Sequence, residues 1–307
     1  MTTPSQRTAR IATALLLGVT AVWGSTFFLI RDLVETVPPA DFLAVRFGIA
    51  ALAMYAVFHR QVHALTRREL RIGAVLGLLY GSAQVLQTMG LQHTDASVSG
   101  FITGTYVVLT PVLGAVIFRE RISPVAWGAV ALATIGLALL SLRGLAVGTG
   151  EGLTLLSALV YAGHIVALGR WSTPSSAVGL ATVQAAVIAV VTGVVALPDG
   201  LTLPSGGGQW ASLLYMAIIA GAWALWAQTW AQAHLPATRA AIVMAMEPVF
   251  AAFFAVLFGG ESLTARMLLG GTLVMGATYL MELRGSSAPP GASALESPPP
   301  QALHHEP

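Results

Sequence analysis

The chain has no cysteine, no lysine and little charge of either sign. All 15 basic residues are arginine, and with 13 acidic residues they fill only 9% of 307 positions, against about 25% in soluble domains. Each scarcity excludes a chemistry. Without lysine there is no phosphate-loop lysine and no Schiff base, so ATP-driven pumping within this chain is excluded. Without cysteine there are no disulfides, thiol nucleophiles or thiolate metal sites. The arginines are scattered and the net charge is +2, so no basic stripe tracks phosphates and nucleic acid is excluded as a main partner. A soluble surface of this size cannot be covered with so few charges. A hydrophobic content of 56% points instead to a bundle embedded in a bilayer.

Crossing about 30 Å of hydrocarbon takes about 20 apolar residues. Ten runs have about that length: 11-30, 40-58, 72-91, 97-118, 124-142, 152-169, 177-196, 210-230, 238-258 and 265-283. Their short connections suit neighbouring helices packed as a hairpin series. The first run follows Arg7 and Arg10 but ends in Phe27, Phe28, Leu29 and Ile30 with no small-residue cleavage pattern, so it reads as a retained helix and not a signal peptide. Residues 285-307 hold six of the 16 prolines with Ser, Gly and Ala, which predicts a disordered tail. His304 and His305 in that tail do not make a metal site. No metal or cofactor is implied elsewhere.

Orientation follows the arginines. With the N-terminus in the cytoplasm, 11 fall inside (Arg7, Arg10, Arg60, Arg67, Arg68, Arg71, Arg119, Arg121, Arg170, Arg239 and Arg284) and three outside (Arg31, Arg143 and Arg266), while Arg46 lies within a span. The bias predicts a multi-pass protein of the cell membrane, plasma or bacterial inner, with both termini cytoplasmic.

The chain also repeats. Shifted by 141 residues, Gln87-Thr88 aligns with Gln228-Thr229, His93 with His234, Ala96 with Ala237 and Glu120 with Glu261. Shifted by 138, Trp23 meets Tyr161 and Arg46 meets Gln184. The unit is about 140 residues with five helices. Five is odd, so the second copy enters the membrane from the opposite side. The predicted fold is an all-α membrane protein with ten transmembrane helices as two inverted five-helix repeats, 11-142 and 152-283, the plan of secondary transporters whose site lies near the midplane between the halves.

Three stretches carry a more specific likeness: AVWGSTFFLIRDLVETVPPADFLAVRFGIAAL at 21-52, SGFITGTYVVLTPVLGAVIFRERIS at 99-123, and MEPVFAAFFAVLFGGESLT at 246-264. They resemble the EamA-type permeases of the drug/metabolite transporter superfamily, and the match runs across residues 11 to 283. The resemblance implies ten helices, two EamA repeats, and export or uptake of small metabolites without ATP hydrolysis. Trp23-Gly24 and Arg46 fall on the family's early aromatic-Gly and Arg positions, Glu247-Pro248 on its late Glu-Pro, and Glu120 and Glu261 on the acidic residue closing each half. Pro111 departs from the pattern, sitting one helical turn later than symmetry with Pro248 predicts.

Only Arg46 and Glu247 are charged well inside a predicted span, where each costs about 2.5 to 3.5 kcal/mol by insertion scales. They either pair with each other as structural glue or serve a wet cavity. Glu247, near the middle of its span, is the candidate carboxylate for a cationic group or a proton. Arg46 lies nearer a helix end, where anchoring at the headgroups competes with solute contact. Pro111 and Pro248 each free the carbonyl four residues earlier, those of Val107 and Met244, unless a neighbour satisfies it. Both are candidate kink or gating positions.

Polar faces supply the other candidates. Tyr80, Gln84 and Gln87 share one face of the third span, and Ser99, Thr103, Tyr106 and Thr110 one face of the fourth. Tyr161 and His164 form the sixth-span counterpart of Trp23 and Thr26. Gln84, Gln87, Gln184 and Gln228 suit either interhelical hydrogen bonding or a solute, and His164 either packing or a proton relay. Trp223, Trp226 and Trp230 are an aromatic cavity wall or, favoured, a lipid-facing stripe. Gly73, Gly77 and Gly81 form a double G-x-x-x-G row that should lie at a close helix contact.

No H-E-x-x-H, no G-x-S-x-G and no pair of intraspan aspartates supports catalysis. The reading is a proton- or gradient-coupled secondary transporter, expected to export a small polar or amphipathic metabolite by alternating access. Amino acids and their relatives lead, since dianionic phosphate wants clustered cations and the spans offer only Arg46. The implied partners are a small-molecule solute, the lipid bilayer and a coupling proton. An intramembrane enzyme and a non-transporting receptor or assembly subunit are the rivals. Topology is directly testable: reporter fusions at residues 148 and 284 should report opposite sides of the membrane, and the same side for both would contradict the five-helix inverted repeat.

Overall fold

The computed structural model describes residues 6–94, 96–141, 148–197, 200–258 and 264–285. Among these, every regular element is a helix. The order is α1 (Gln6–Gly24), α2 (Phe27–Val34), α3 (Pro39–His63), α4 (Arg67–Leu91), α5 (Ala96–Gly104), α6 (Tyr106–Phe118), α7 (Pro124–Ser141), α8 (Thr149–Trp171), α9 (Ala177–Ala196), α10 (Gly207–Ala217), a π-helix (Ile218–Trp223), α11 (Ala224–Gln232), α12 (Ala237–Met244), α13 (Glu247–Phe258) and α14 (Ala265–Gly285). Residues 286-307, which include His304 and His305, and Glu261 lie outside the described residues.

Ten spans are expected from the sequence; eight helical segments among the described residues are long and apolar enough to cross a membrane. Two further apolar stretches, Pro124–Leu139 and Leu268–Met281, are shorter, about 24 and 21 Å at the α-helical rise. They belong to α7 and α14, which pack against each other.

Local chemistry sets the helix starts. Thr66 caps α4 by accepting from Glu69 N while Glu69 Oε2 accepts from Thr66 N, and Glu151 Oε2 accepts from Gly148 N at the head of α8; each satisfies amides that no helical carbonyl can reach. Pro39 and Pro124 open α3 and α7 with φ already set for a helix.

Short side chains make the breaks. At Ser25-Thr26, the Ser25 hydroxyl bonds Val22 O and the Thr26 hydroxyl bonds Trp23 O, and these local bonds compete with the helical ladder. At Thr105 both the hydroxyl and the amide bond Ile102 O, at 2.6 and 3.1 Å. The fourth span therefore breaks ahead of Tyr106, and Pro111 lies inside α6. The one-turn offset between the prolines does not offset the interruptions, because α6 and α13 start at Tyr106 and Glu247, 141 residues apart.

Packing follows the repeat. Equivalent segments pair, α3 with α9 and α7 with α14, and α4 lies on α8 as α11 lies on α1. The glycine row of α4 meets α9, where a Cβ on Gly77 would stand 2.9 Å from Val187 Cβ and 3.0 Å from Gln184 O. Backbones approach that closely only over glycine. Gly77→Ala should therefore cost about 1 to 3 kcal/mol of stability by overpacking, read as a lower melting temperature in detergent. Gly48→Ala, with nothing within 4 Å of the added Cβ, should hold or raise it.

Candidate functional site

Three helix interruptions meet between the repeats. A Cβ on Gly24 would lie 2.9 Å from Glu247 O, and one on Gly104 would lie 3.1 Å from Pro248 Cγ. Side chains flanking these breaks line one cavity. Its free interior is about 30 Å³, room for about two ordered waters. A solute of amino-acid size needs the walls to part.

Eight of the nine binding or coupling candidates named from the sequence line this cavity: Trp23, Arg46, Gln87, Thr103, Tyr106, Tyr161, Gln228 and Glu247. His164 does not. Its ring lies behind the wall, 5.1 Å from the Tyr80 ring, with Nε2 hydrogen-bonded to Gln184 Oε1 at 2.8 Å. Trp223, Trp226 and Trp230 are also outside the lining, and Trp223 packs over Gly18.

Arg46 is 1% exposed, so its guanidinium does not reach for headgroups. Nε donates to Met216 O at 3.1 Å, one terminal nitrogen to Ala220 O at 3.4 Å, and the other to Gln84 Oε1 at 3.4 Å. Trp23 Nε1 donates to the same Ala220 carbonyl at 3.0 Å. Both carbonyls flank or belong to the π-helix, where interruption of the i→i−4 ladder makes carbonyls available to side-chain donors. The rings of Phe42 and Phe47 cover the cation at 5.7 and 5.1 Å.

Glu247, 6% exposed, opens α13 beside Pro248. Tyr106 Oη donates to Met244 O at 2.6 Å and stands 3.3 Å from Glu247 Oε2. Met244 O is the carbonyl that Pro248 leaves without its amide, so the single O–H of Tyr106, at the shorter distance, repairs the break while its oxygen lies beside the carboxyl group. Arg46 and Glu247 share the cavity yet make no ion pair with each other. Structural glue between them is therefore not what this arrangement supplies.

The remaining wall is wired. Gln84 Nε2 donates to Tyr161 Oη at 2.6 Å, Tyr161 Oη to Gln87 Oε1 at 3.2 Å, and Gln87 Nε2 to Thr103 Oγ1 at 2.9 Å. A second, larger recess of about 680 Å³ opens where α2 and α4 end and α8 begins, lined by Arg31, Glu35, His93, Thr94 and Glu151 among others. Sequence reasoning used Arg31 only to orient the chain and His93 only to align the repeats, and missed that three helix ends gather them with Glu35 and Glu151. It also missed the Met216 and Ala220 carbonyls, since backbone acceptors leave no residue signature.

Comparison with known proteins agrees with this architecture. The model of the EamA-like transporter family matches residues 10–142 and 148–283. An uncharacterized transporter of Archaeoglobus fulgidus is 29% identical over 266 residues, covering 87% of this chain and 84% of that protein. The uncharacterized inner membrane transporter YedA of Escherichia coli K12 is 25% identical over 276 residues, 87% of this chain and 89% of its own length. A solved crystal structure superposes with a TM-score of 0.74 over 90% of this chain and 99% of that one, at 17% identity, which is a likeness of fold.

The natural chain has no cysteine, so single cysteines report cleanly on the cavity. Cysteines at Gln87, Thr103 and Gln228 should react with a membrane-impermeant thiol reagent during turnover, and those at Leu52 and Val190, 73% and 65% exposed on outer helix faces, should not. The reverse pattern would misplace the cavity.

Proposed function

This chain belongs to the EamA-like transporter family and is a multi-pass membrane transporter of small molecules, and we propose that it carries amino acids or close relatives by alternating access. In this reading α7 and α14 complete ten spans, the two repeats are inverted about an axis in the membrane plane, and both termini are cytoplasmic. The observation that carries it is a cation and a carboxylate, both buried in one cavity and not paired with each other. A buried charge without a counter-charge costs several kcal/mol. A zwitterion meets both demands, its carboxylate at Arg46 and its ammonium at Glu247. Phosphorylated cargo does not, because a dianion would need further cations.

Coupling follows from the same carboxylate. When solute leaves, Glu247 needs a proton in place of the ammonium, so solute and proton exchange across the membrane and the inward proton gradient drives export. Gln228, Thr103, Gln87, Trp23 and Tyr161 shape the site, His164 supports it from behind, and Pro248 stiffens the gate at the α12–α13 break while Pro111 bends α6.

Glu247→Gln in proteoliposomes should lower pH-gradient-driven amino acid transport by about 10- to 100-fold, the equivalent of losing one charge-assisted hydrogen bond. Loss of solute exchange as well would assign the carboxylate to the ammonium, and retained exchange would assign it to the proton. Wild-type transport with an unchanged pH response in the folded variant would contradict the proposal.

A further inference from the structure

Among the described residues, five buried side-chain polar atoms have no hydrogen-bond partner: Thr88 Oγ1, Ser99 Oγ, Thr110 Oγ1, His164 Nδ1 and Gln228 Oε1. Of their residues only Gln228 lines the cavity. A buried acceptor left unmade costs about 1 to 3 kcal/mol, so its place in a cavity wall marks where a donor belongs.

The orientation of that amide is fixed by a neighbour outside the cavity. Gln232 Nε2 donates to the backbone carbonyl of Ile165 at 2.9 Å. A carbonyl can only accept, so the Gln232 amide cannot turn over without setting two oxygens against each other. Its Oε1 is thereby committed to the other side, where it accepts from Gln228 Nε2 at 3.1 Å. Gln228 must then present Oε1, not Nε2, to the cavity. The opposite wall has the reverse polarity. Arg46 can only donate, which commits Gln84 Oε1, and the donors then run on through Gln84, Tyr161 and Gln87 to Thr103. No amide oxygen is left over there. The amide and carboxylate oxygens of the lining that no wall donor takes up fully are on α11 and α13, at Gln228 and Glu247.

We infer that Gln228 is a specificity-determining acceptor requiring an N–H donor on the solute, and that Gln232, which lies outside the cavity lining, is the positioning residue that aims it. The inference rests on the amino-acid reading above in taking the donor to be a solute ammonium. It goes beyond that reading in separating N–H donation from positive charge: Glu247 would accept any cation, whereas Gln228 rejects one without N–H.

The matched probes are L-leucine and N,N,N-trimethyl-L-leucine, which carry the same charges but differ in N–H. Apparent affinities are read from ligand-dependent melting of the purified protein in lipid nanodiscs. Wild type should prefer leucine by at least about 10-fold, and Gln228→Met should bring the ratio to within about twofold. Gln232→Met frees the amide to rotate and should reduce the preference. Gln232→Glu should keep it, because a protonated carboxyl group donates to the Ile165 carbonyl and still accepts from Gln228 Nε2. Equal affinities in wild type, or a preference that survives Gln228→Met, would overturn the inference, and equal loss in Gln232→Met and Gln232→Glu would overturn the role of Gln232. If wild type binds neither compound, the amino-acid reading fails by itself. Methylammonium against tetramethylammonium then decides the donor claim, and the absence of a methylammonium preference overturns it.

Discussion

A guanidinium removed from water must find its stabilisation in the dipoles around it, and most of the site follows from how Arg46 does so. The cation has no carboxylate partner and is almost fully buried. It is held by two main-chain carbonyls, one side-chain amide and the faces of two phenylalanines. A regular α-helix would have spent those carbonyls on its own amides. The π-helix between α10 and α11 sits where Arg46 and Trp23 need acceptors, so an irregularity in one repeat serves a charge carried by the other. Because arginine only donates, the hydrogen bonds leaving it acquire a direction that passes from helix to helix along the wall.

The breaks obey the same accounting. Inside hydrocarbon or a tight bundle no backbone group can be left without a partner, so an interrupted helix persists only where side chains repair it. At Ser25, Thr26 and Thr105 the hydroxyls that compete with the ladder also occupy carbonyls of the preceding turn, and Tyr106 repairs the carbonyl freed by Pro248 from across the interface. Tyr106 and Glu247 occupy the same position of the repeat, 141 residues apart, and lie within hydrogen-bonding distance of each other. One position of the repeat thus carries a neutral clamp in one half and a titratable group in the other, which gives a repeated scaffold an asymmetric site.

Much of this was legible in the residues. Eight of the ten apolar runs fall on helical segments long enough to cross a membrane and the other two on the shorter apolar stretches of α7 and α14, because length and composition are what a helix in a bilayer needs to announce itself. The Gln-Thr pair and the 141-residue shift set the register in which α6 and α13 start at equivalent positions, Tyr106 and Glu247, although the residues themselves pointed to Pro111 and Pro248. The polar faces of α4 and α5 led to Gln87 and Thr103, because 3.6-residue periodicity decides which side chains share a cavity. The rest was hidden for physical reasons. Pro111 advertises a kink, yet Thr105 breaks the helix first, through hydroxyl-to-carbonyl bonds that any serine or threonine can make or withhold. Arg46 looked close enough to a helix end to reach the headgroups, and only the position of α10 and the π-helix shows that it turns inward. Gln232 gives no sign of importance in sequence, since its role depends on which way an amide faces.

The central claim is that the cavity between the breaks is where the solute binds. It is tested most directly by a structure of the lipid-reconstituted protein at saturating L-leucine. The solute carboxylate should lie against the Arg46 guanidinium and its amino group against Glu247 and Gln228, in a cavity wider than the ligand-free 30 Å³. Leucine seated in the recess of Arg31 and Glu151, with the Arg46 cavity unchanged, would contradict it.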